Sequence, residues 1–230
     1  MRRGLLALLF VGQAFAGEPL PGLPASPRIL FQGDSITDGN RGRGADLNHV
    51  HGHGFVYLLA ARVGAGAPEQ NVTFLNRGVS GNTVLDLAKR WPKDTLELKP
   101  DVLSVMIGVN DSSKGVTPEV FEKTYDEILT TARAANPKLR LVLCEPFLGA
   151  TGAAIDKSAG RRERLALLVP VVRRLAAKHG ATLVDFQKVF DDAQRRSPSS
   201  YWIWDGVHPT TAGHQLMADE WERVVRASWR

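Results

Sequence analysis

Arg28-Ile29-Leu30-Phe31-Gln32-Gly33-Asp34-Ser35-Ile36-Thr37-Asp38 sets the plan of the chain. The aliphatic and aromatic run from Ile29 to Phe31 reads as a buried strand. The glycine after it lets the backbone turn sharply and display a serine at the start of the next helix. The same alternation repeats downstream, with strands predicted at Val72 to Asn76, Val102 to Ile107, Leu139 to Leu143 and Thr182 to Asp185. Helices are predicted near Phe55 to Val63, Thr83 to Trp91, Pro118 to Ala135, Arg161 to His179 and Thr211 to Ala227. Every connection is long enough for a crossover helix, so the strands should be parallel and covered by helices on both faces. Such an α/β domain with a five-stranded parallel sheet gathers its functional loops at the strand C-terminal ends. Chemistry is therefore expected in segments 32–39, 77–83, 108–113, 145–149 and from 186 onward.

The ends of the chain fit this plan. Arg2 and Arg3, an apolar run from Leu5 to Val11 and the small-x-small triplet Ala14-Phe15-Ala16 read as a signal peptide over residues 1–16. The run breaks at Gly12-Gln13, short of the roughly 20 apolar residues of a membrane span, and no later segment replaces it. A secreted or periplasmic location follows as the expectation. Residues 17–27 carry four prolines and read as an extended linker, which leaves 28–230 as one domain. Removing the leader lowers the formal net charge from +5 to +3 through Arg2 and Arg3. The basic residues are scattered among acids, as in Arg161-Arg162-Glu163-Arg164, so no nucleic-acid partner is expected. The single cysteine, Cys144, lies in an apolar run and reads as a buried, inert thiol.

Ser35 alone could be no more than a helix cap. A second segment, Asp205-Gly206-Val207-His208-Pro209, makes a stronger reading, because it offers a carboxylate and an imidazole three residues apart. A serine hydroxyl needs a base to take its proton, and that base needs a carboxylate to fix its tautomer. Two further post-strand segments, Asn76 to Asn82 and Ile107 to Asp111, contain Gly81 and Asn110, suited to a backbone N–H and a side-chain amide facing a developing oxyanion. Each is also a common turn residue; the coincidence of all the segments at the same rim favours chemistry.

Together, in this order, these residues resemble the blocks of the SGNH, or GDSL, hydrolases, from about Phe31 to Ala218. The resemblance implies a flavodoxin-like three-layer α/β/α sandwich. It also implies Ser35 as nucleophile, His208 as base, Asp205 orienting it, an oxyanion hole of Ser35, Gly81 and Asn110, and no metal or organic cofactor. The surrounding text is similar to the acetylxylan esterase and carbohydrate deacetylase branch, notably Phe31 to Asp38, Asn76 to Trp91, Lys99-Pro100-Asp101, Met106 to Asp111 and Trp204 to His214. Leu47 to Gly54 and Ser112-Ser113-Lys114 depart from it. An acetylated small molecule or oligosaccharide is the implied substrate, with Asp34, Trp204 and His53 as candidate substrate-binding residues. The same residues would also serve a lysophospholipase, a thioesterase or a general short-chain esterase, and a carbohydrate-binding module is the non-enzymatic alternative. Homo-oligomers occur in the resembled branch, and Trp221 and Trp229 on the basic last helix offer a contact.

Of the remaining signals, His49, His51 and His53 alternate in a Gly-rich loop. They would ligate a metal only on a strand with supporting hydrogen bonds, and they read as polar walls of the substrate mouth. His214 is expected to pack on the final helix. Tyr201 to Trp204 should bury one indole and expose the other by its period of two.

Overall fold

The computed structural model describes residues 18–153 and 160–230, so the leader expected over residues 1–16 lies outside the described residues. Five strands, β1 (Arg28–Gly33), β2 (Thr73–Asn76), β3 (Val102–Met106), β4 (Arg140–Cys144) and β5 (Thr182–Val184), pair in parallel in the order β2-β1-β3-β4-β5. This is the flavodoxin-like order. The chain builds from β1 outward to β2, then crosses back to β3 and continues the other way, so the loops leaving β1 and β3 diverge and open a crevice between them.

The helices are α1 (Ser35–Asp38), α2 (Phe55–Gly66), α3 (Val84–Trp91), α4 (Val109–Lys114), α5 (Pro118–Ala135), α6 (Arg161–His179), α7 (Phe186–Ala193), α8 (Ser199–Trp202) and α9 (Thr211–Ser228). The starts of α1, α3, α5, α7 and α9 follow from N-cap side chains that accept otherwise unpaired N–H groups. Thr83 and Asp86 form a reciprocal capping box at α3, and Thr117 caps α5 ahead of Pro118. Side-chain alternation along the strands then sorts the core into two layers. Ile29, Phe31, Val102, Met106, Val142 and Cys144 pack with Phe55, Phe74 and Trp221 on one face of the sheet. Leu30, Leu103, Val105, Leu141 and Leu143 pack with Leu87, Trp91, Tyr125 and Leu175 on the other. The three-layer α/β/α sandwich is thus the expected one.

Cys144 is buried, and burial pushes its thiol up to about 12, which makes it a poor nucleophile at neutral pH. Two sequence expectations need correction. Residues 18–27 are not a free tether: Leu20 is buried in the core, its N–H and C=O are both bonded to the Gln70 side chain, and Arg226 donates to the carbonyls of Glu18 and Pro19. Trp221 and Trp229 are not a surface contact. Trp221 is fully buried with its Nε1–H on Ser104 Oγ, and Trp229 lies beneath the Arg140 guanidinium with its Nε1–H on Thr182 Oγ1.

Candidate active site

β1 delivers Ser35 to the crevice by a tight strand-to-helix transition. Gly33 is needed there because of space: a Cβ at this position would lie 2.3 Å from Thr37 Oγ1 and 2.5 Å from the Met106 carbonyl of the neighbouring strand. Asp34 then caps α1, its Oδ1 accepting the Ile36 N–H at 3.0 Å. This leaves Ser35 partly exposed at the first helical position, with its Oγ 2.9 Å from His208 Nε2, although 173 residues separate the two in sequence.

His208 arrives from the opposite side on a loop closed by Trp204 N–H bonding to its carbonyl and by the bridge between Ile203 and Pro209. Within that loop Asp205 acts twice. Its Oδ1 accepts the backbone N–H groups of Val207 and His208, and its Oδ2 accepts from His208 Nδ1 at 2.8 Å. Gly206, at φ +90°, supplies the turn. The tautomer that satisfies both ring contacts carries its proton on Nδ1, leaving Nε2 as an acceptor for the serine hydroxyl. Burial raises the Asp205 pKa, but the hydrogen bonds from His208 and Val207 outweigh it and hold the carboxyl below its ordinary value. The result is a carboxylate, an imidazole and a hydroxyl in line, able to pull a proton from Ser35.

Gly81 and Asn110 come from the loops after β2 and β3. Gly81 sits at φ +79°, a conformation that side chains rarely adopt. Asn110 Nδ2 donates to the Asn82 carbonyl at 3.1 Å, which ties the two loops together and uses one of the amide's two hydrogens. Residues to which the sequence assigned no role of their own complete this scaffold. Asp111 is buried and accepts the Val84 N–H at the start of α3, Lys114 Nζ donates to the Gly81 carbonyl at 2.7 Å, and Arg90 Nε holds Asn82 Oδ1 at 2.7 Å. Arg161, buried at the start of α6, donates to the Val109 carbonyl just before Asn110. The sequence signal for Asp111 lay in the Asn110 block itself and that for Lys114 in the departure that follows it; Arg90 and Arg161 become visible only in three dimensions.

The expected substrate residues fare differently. Asp34 is buried, and its Oδ1 caps α1. Burial, opposed by the Ile36 hydrogen bond, raises its pKa to about 7. Trp204 is 64% exposed and its ring stacks over the His208 imidazole at a 6.4 Å centroid distance, while Trp202 is buried. One indole is in and one out, but not by a period of two, which would put both on one face, because Trp202 ends α8 and Trp204 lies in the turn beyond it. His53 is exposed. The neighbouring histidines diverge, His49 pairing with Asp46 and His51 Nε2 bonding the Phe74 carbonyl. His214 is buried against Phe55, and its Nδ1 accepts the Phe55 N–H at the start of α2; burial pushes its pKa down to about 4, so it stays neutral.

Residues 31–216 match the model of the GDSL-like lipase/acylhydrolase family. The chain belongs to this family. As a family member it is a carboxylic ester hydrolase, and its fold is the SGNH hydrolase α/β fold. An acetylxylan esterase of Geobacillus stearothermophilus is 32% identical over 212 residues, which covers 88% of this chain and 95% of that protein. A crystal structure of that esterase superposes with a TM-score of 0.77 over 87% of this chain and 94% of the other, at 30% identity. Its catalytic mutants replace a serine, an aspartate or a histidine by alanine. A GDSL-like lipase from Parabacteroides merdae superposes with a TM-score of 0.84 at 36% identity, over 90% of this chain and 99% of that one.

Proposed function

We propose that this GDSL hydrolase is an exported serine esterase that removes acetyl groups from carbohydrate through an acyl-enzyme on Ser35. The 2.9 Å approach of Ser35 Oγ to His208 Nε2, backed by Asp205, carries the reading. In this reading His208 takes the hydroxyl proton as Ser35 attacks the ester carbonyl, and the charge that develops on the carbonyl oxygen is held by the Ser35 and Gly81 amides and the Asn110 side chain. His208 then gives that proton to the sugar oxygen as its bond to the acyl carbon breaks, so that the sugar leaves as a free hydroxyl. Water, deprotonated by the same ring, releases acetate and restores the serine. Nothing in these steps calls for a metal or an organic cofactor.

The acetyl group and the sugar are supported by the likeness to acetylxylan esterase across nearly the full length of both chains, and by the exposed Trp204 face beside His208, a surface suited to stacking on a pyranose ring. His53, exposed on the adjoining loop, is a second candidate contact. Export is supported by the charged, apolar and small-x-small order of residues 1–16. Relative kcat/KM on nitrophenyl esters of two and eight carbons, together with acetate release from acetylated oligosaccharides, tests the reading. The acetyl ester should be preferred and Ser35→Ala should abolish turnover; a preference for the longer chain would point instead to a lysophospholipase or thioesterase.

A further inference from the structure

The rim beside Gly81 holds more positive charge than ester hydrolysis requires. Arg41, Arg43, Arg77 and Arg90 cluster there around three carboxylates, Asp38, Asp94 and Asp86, the last of which also pairs with Lys89. Two of the arginines are committed to the fold. Arg90 donates to Asn82 Oδ1, the Arg77 and Gly33 carbonyls and Asp94 Oδ2, while Arg43 forms a two-pronged pair with Asp38 at 3.0 and 2.8 Å. Arg41 is different. Its side chain is only 8% exposed, yet its single hydrogen bond is from Nε to the Gly78 carbonyl at 3.0 Å, and Asp38 is no nearer than 4.0 Å. Among the described residues its two terminal nitrogens have no hydrogen-bond partner, and neither has the side chain of Arg77, a partly buried residue.

The Arg41 guanidinium is largely withdrawn from water beside like charges while its terminal nitrogens still reach solvent, so an anion arriving there would offset the cost of its burial. Burial and the Arg43 and Arg77 charges accordingly lower the Arg41 pKa to about 10. The cluster also lies close to the candidate oxyanion loop. Arg41 grips Gly78, three residues before Gly81, a stretch that spans at most about 11 Å even when fully extended. Asp38, which Arg43 holds, accepts from both the N–H and the hydroxyl of Ser80, the residue just before Gly81. A carboxylate on a sugar ring next to the one bearing the ester would fall within reach, and forked guanidinium donors match carboxylate geometry.

We propose that Arg41 and Arg77 form an anion subsite that takes the carboxylate of a uronic acid residue in the same oligosaccharide as the scissile acetyl ester. The assignment of a sugar ligand rests on the function proposed above. The subsite makes this an esterase for acidic, not neutral, acetylated glycans.

Inhibition of nitrophenyl acetate hydrolysis by unesterified trigalacturonate, by xylotriose and by inorganic phosphate tests it on the full-length protein. At low ionic strength trigalacturonate should inhibit about tenfold more tightly than xylotriose, and about 0.5 M sodium chloride should erase most of that advantage. Arg77→Gln should lose the advantage, whereas Lys123→Gln, which removes the same charge from the exposed face of α5, should keep it. Equal inhibition by the two sugars, or an advantage that survives in Arg77→Gln, overturns the proposal. Phosphate inhibiting as tightly as trigalacturonate overturns the carboxylate assignment in favour of a phosphorylated ligand. Acetate release separates the two readings. Selective inhibition by trigalacturonate with no acetate from any acetylated sugar sinks deacetylation and leaves the subsite; equal release from acidic and neutral substrates without selective inhibition sinks the subsite alone.

Discussion

The Asp205 carboxylate grips His208 at both ends of that residue, Oδ2 on the ring Nδ1 at 2.8 Å and Oδ1 on the backbone N–H at 2.7 Å. Orientation of the imidazole and shape of the loop are therefore set by one side chain. Two substitutions should separate the two effects. Asp205→Asn keeps an acceptor for the backbone but presents N–H groups to the ring, favouring the wrong tautomer; kcat should fall by roughly 10³–10⁴-fold with little change in melting temperature. Asp205→Ala should lose similar activity and in addition about 1–3 kcal/mol of stability, as the Val207 and His208 N–H groups lose their partner. Steady-state kinetics and thermal melts on both variants check this; equal melting temperatures would mean that the backbone bonds contribute nothing.

The proposed oxyanion hole makes a graded prediction. If Asn110 donates to the developing charge as proposed, Asn110→Ala should lower kcat by about 10²–10³-fold. Lys114 acts at one remove, by holding the Gly81 carbonyl from an exposed position. Such a bond is worth at most about 1 kcal/mol, so Lys114→Met should cost roughly twofold to fivefold in kcat, with KM nearly unchanged and Lys114→Arg restoring most of the loss. A change confined to KM would instead place Lys114 in substrate binding.

His214 gives stability a pH dependence of known sign. Its folded pKa, about 4, lies below the unfolded value of 6.5, so between these limits the unfolded chain binds a proton that the folded chain does not. Stability from this residue is complete above pH 6.5 and is lost as pH falls toward 4. His214→Gln can still accept the Phe55 N–H but no longer titrates. The gap in melting temperature between parent and variant should be widest near pH 7 and should close progressively toward pH 4, by an amount equivalent to about 3 kcal/mol. A gap independent of pH would show that the ring takes up its proton without unfolding.

Asp34 slopes the other way. Its folded pKa, raised to about 7 from 3.8, means that the folded chain holds the extra proton, so stability is greatest below pH 3.8 and declines as pH rises to 7. Asp34→Asn retains an oxygen to cap Ile36 and removes the charge that burial penalises. Its melting temperature should gain on the parent as pH rises from about 4 to about 8, with Ser35 activity retained if the carboxylate only supports α1. A loss of activity with unaltered stability would return Asp34 to the substrate side of the site.

What the sequence made legible was whatever is local or periodic. The five strands and the helices α2, α3, α5, α6 and α9 follow from apolar runs and their periods, whereas the short α4, α7 and α8 were not read, and Asp205 and His208 could be paired because a single turn brings them together. Meeting Ser35 was inferable because parallel strands put their following loops on one rim. Side-chain direction was not. Asp34 and Ser35 are adjacent, yet the helix begins between them, so one carboxylate turns inward to cap and one hydroxyl faces the crevice. Nor could contacts between distant parts of the chain be read: Arg161 reaches Val109 across 52 residues, and Arg226 reaches Glu18 across 208.

That last contact makes the segment ahead of β1 part of the fold. Arg226 and Glu222 form a buried pair on α9; Glu222 also accepts from Arg62 on α2, and the Arg226 guanidinium bonds the carbonyls of Glu18 and Pro19, while Gln70 closes around Leu20. A proline-rich linker would tolerate truncation of an apolar side chain at no cost. Here Leu20 is 1% exposed within the layer that contains Phe31 and Trp221, so Leu20→Ala should cost about 2–4 kcal/mol in urea unfolding. The site lies beyond the N-terminal end of β1, opposite the loops that carry Ser35, so kcat on nitrophenyl acetate should not change. An unchanged urea midpoint would return residues 18–27 to the role of a tether and leave the burial of Leu20 without energetic consequence.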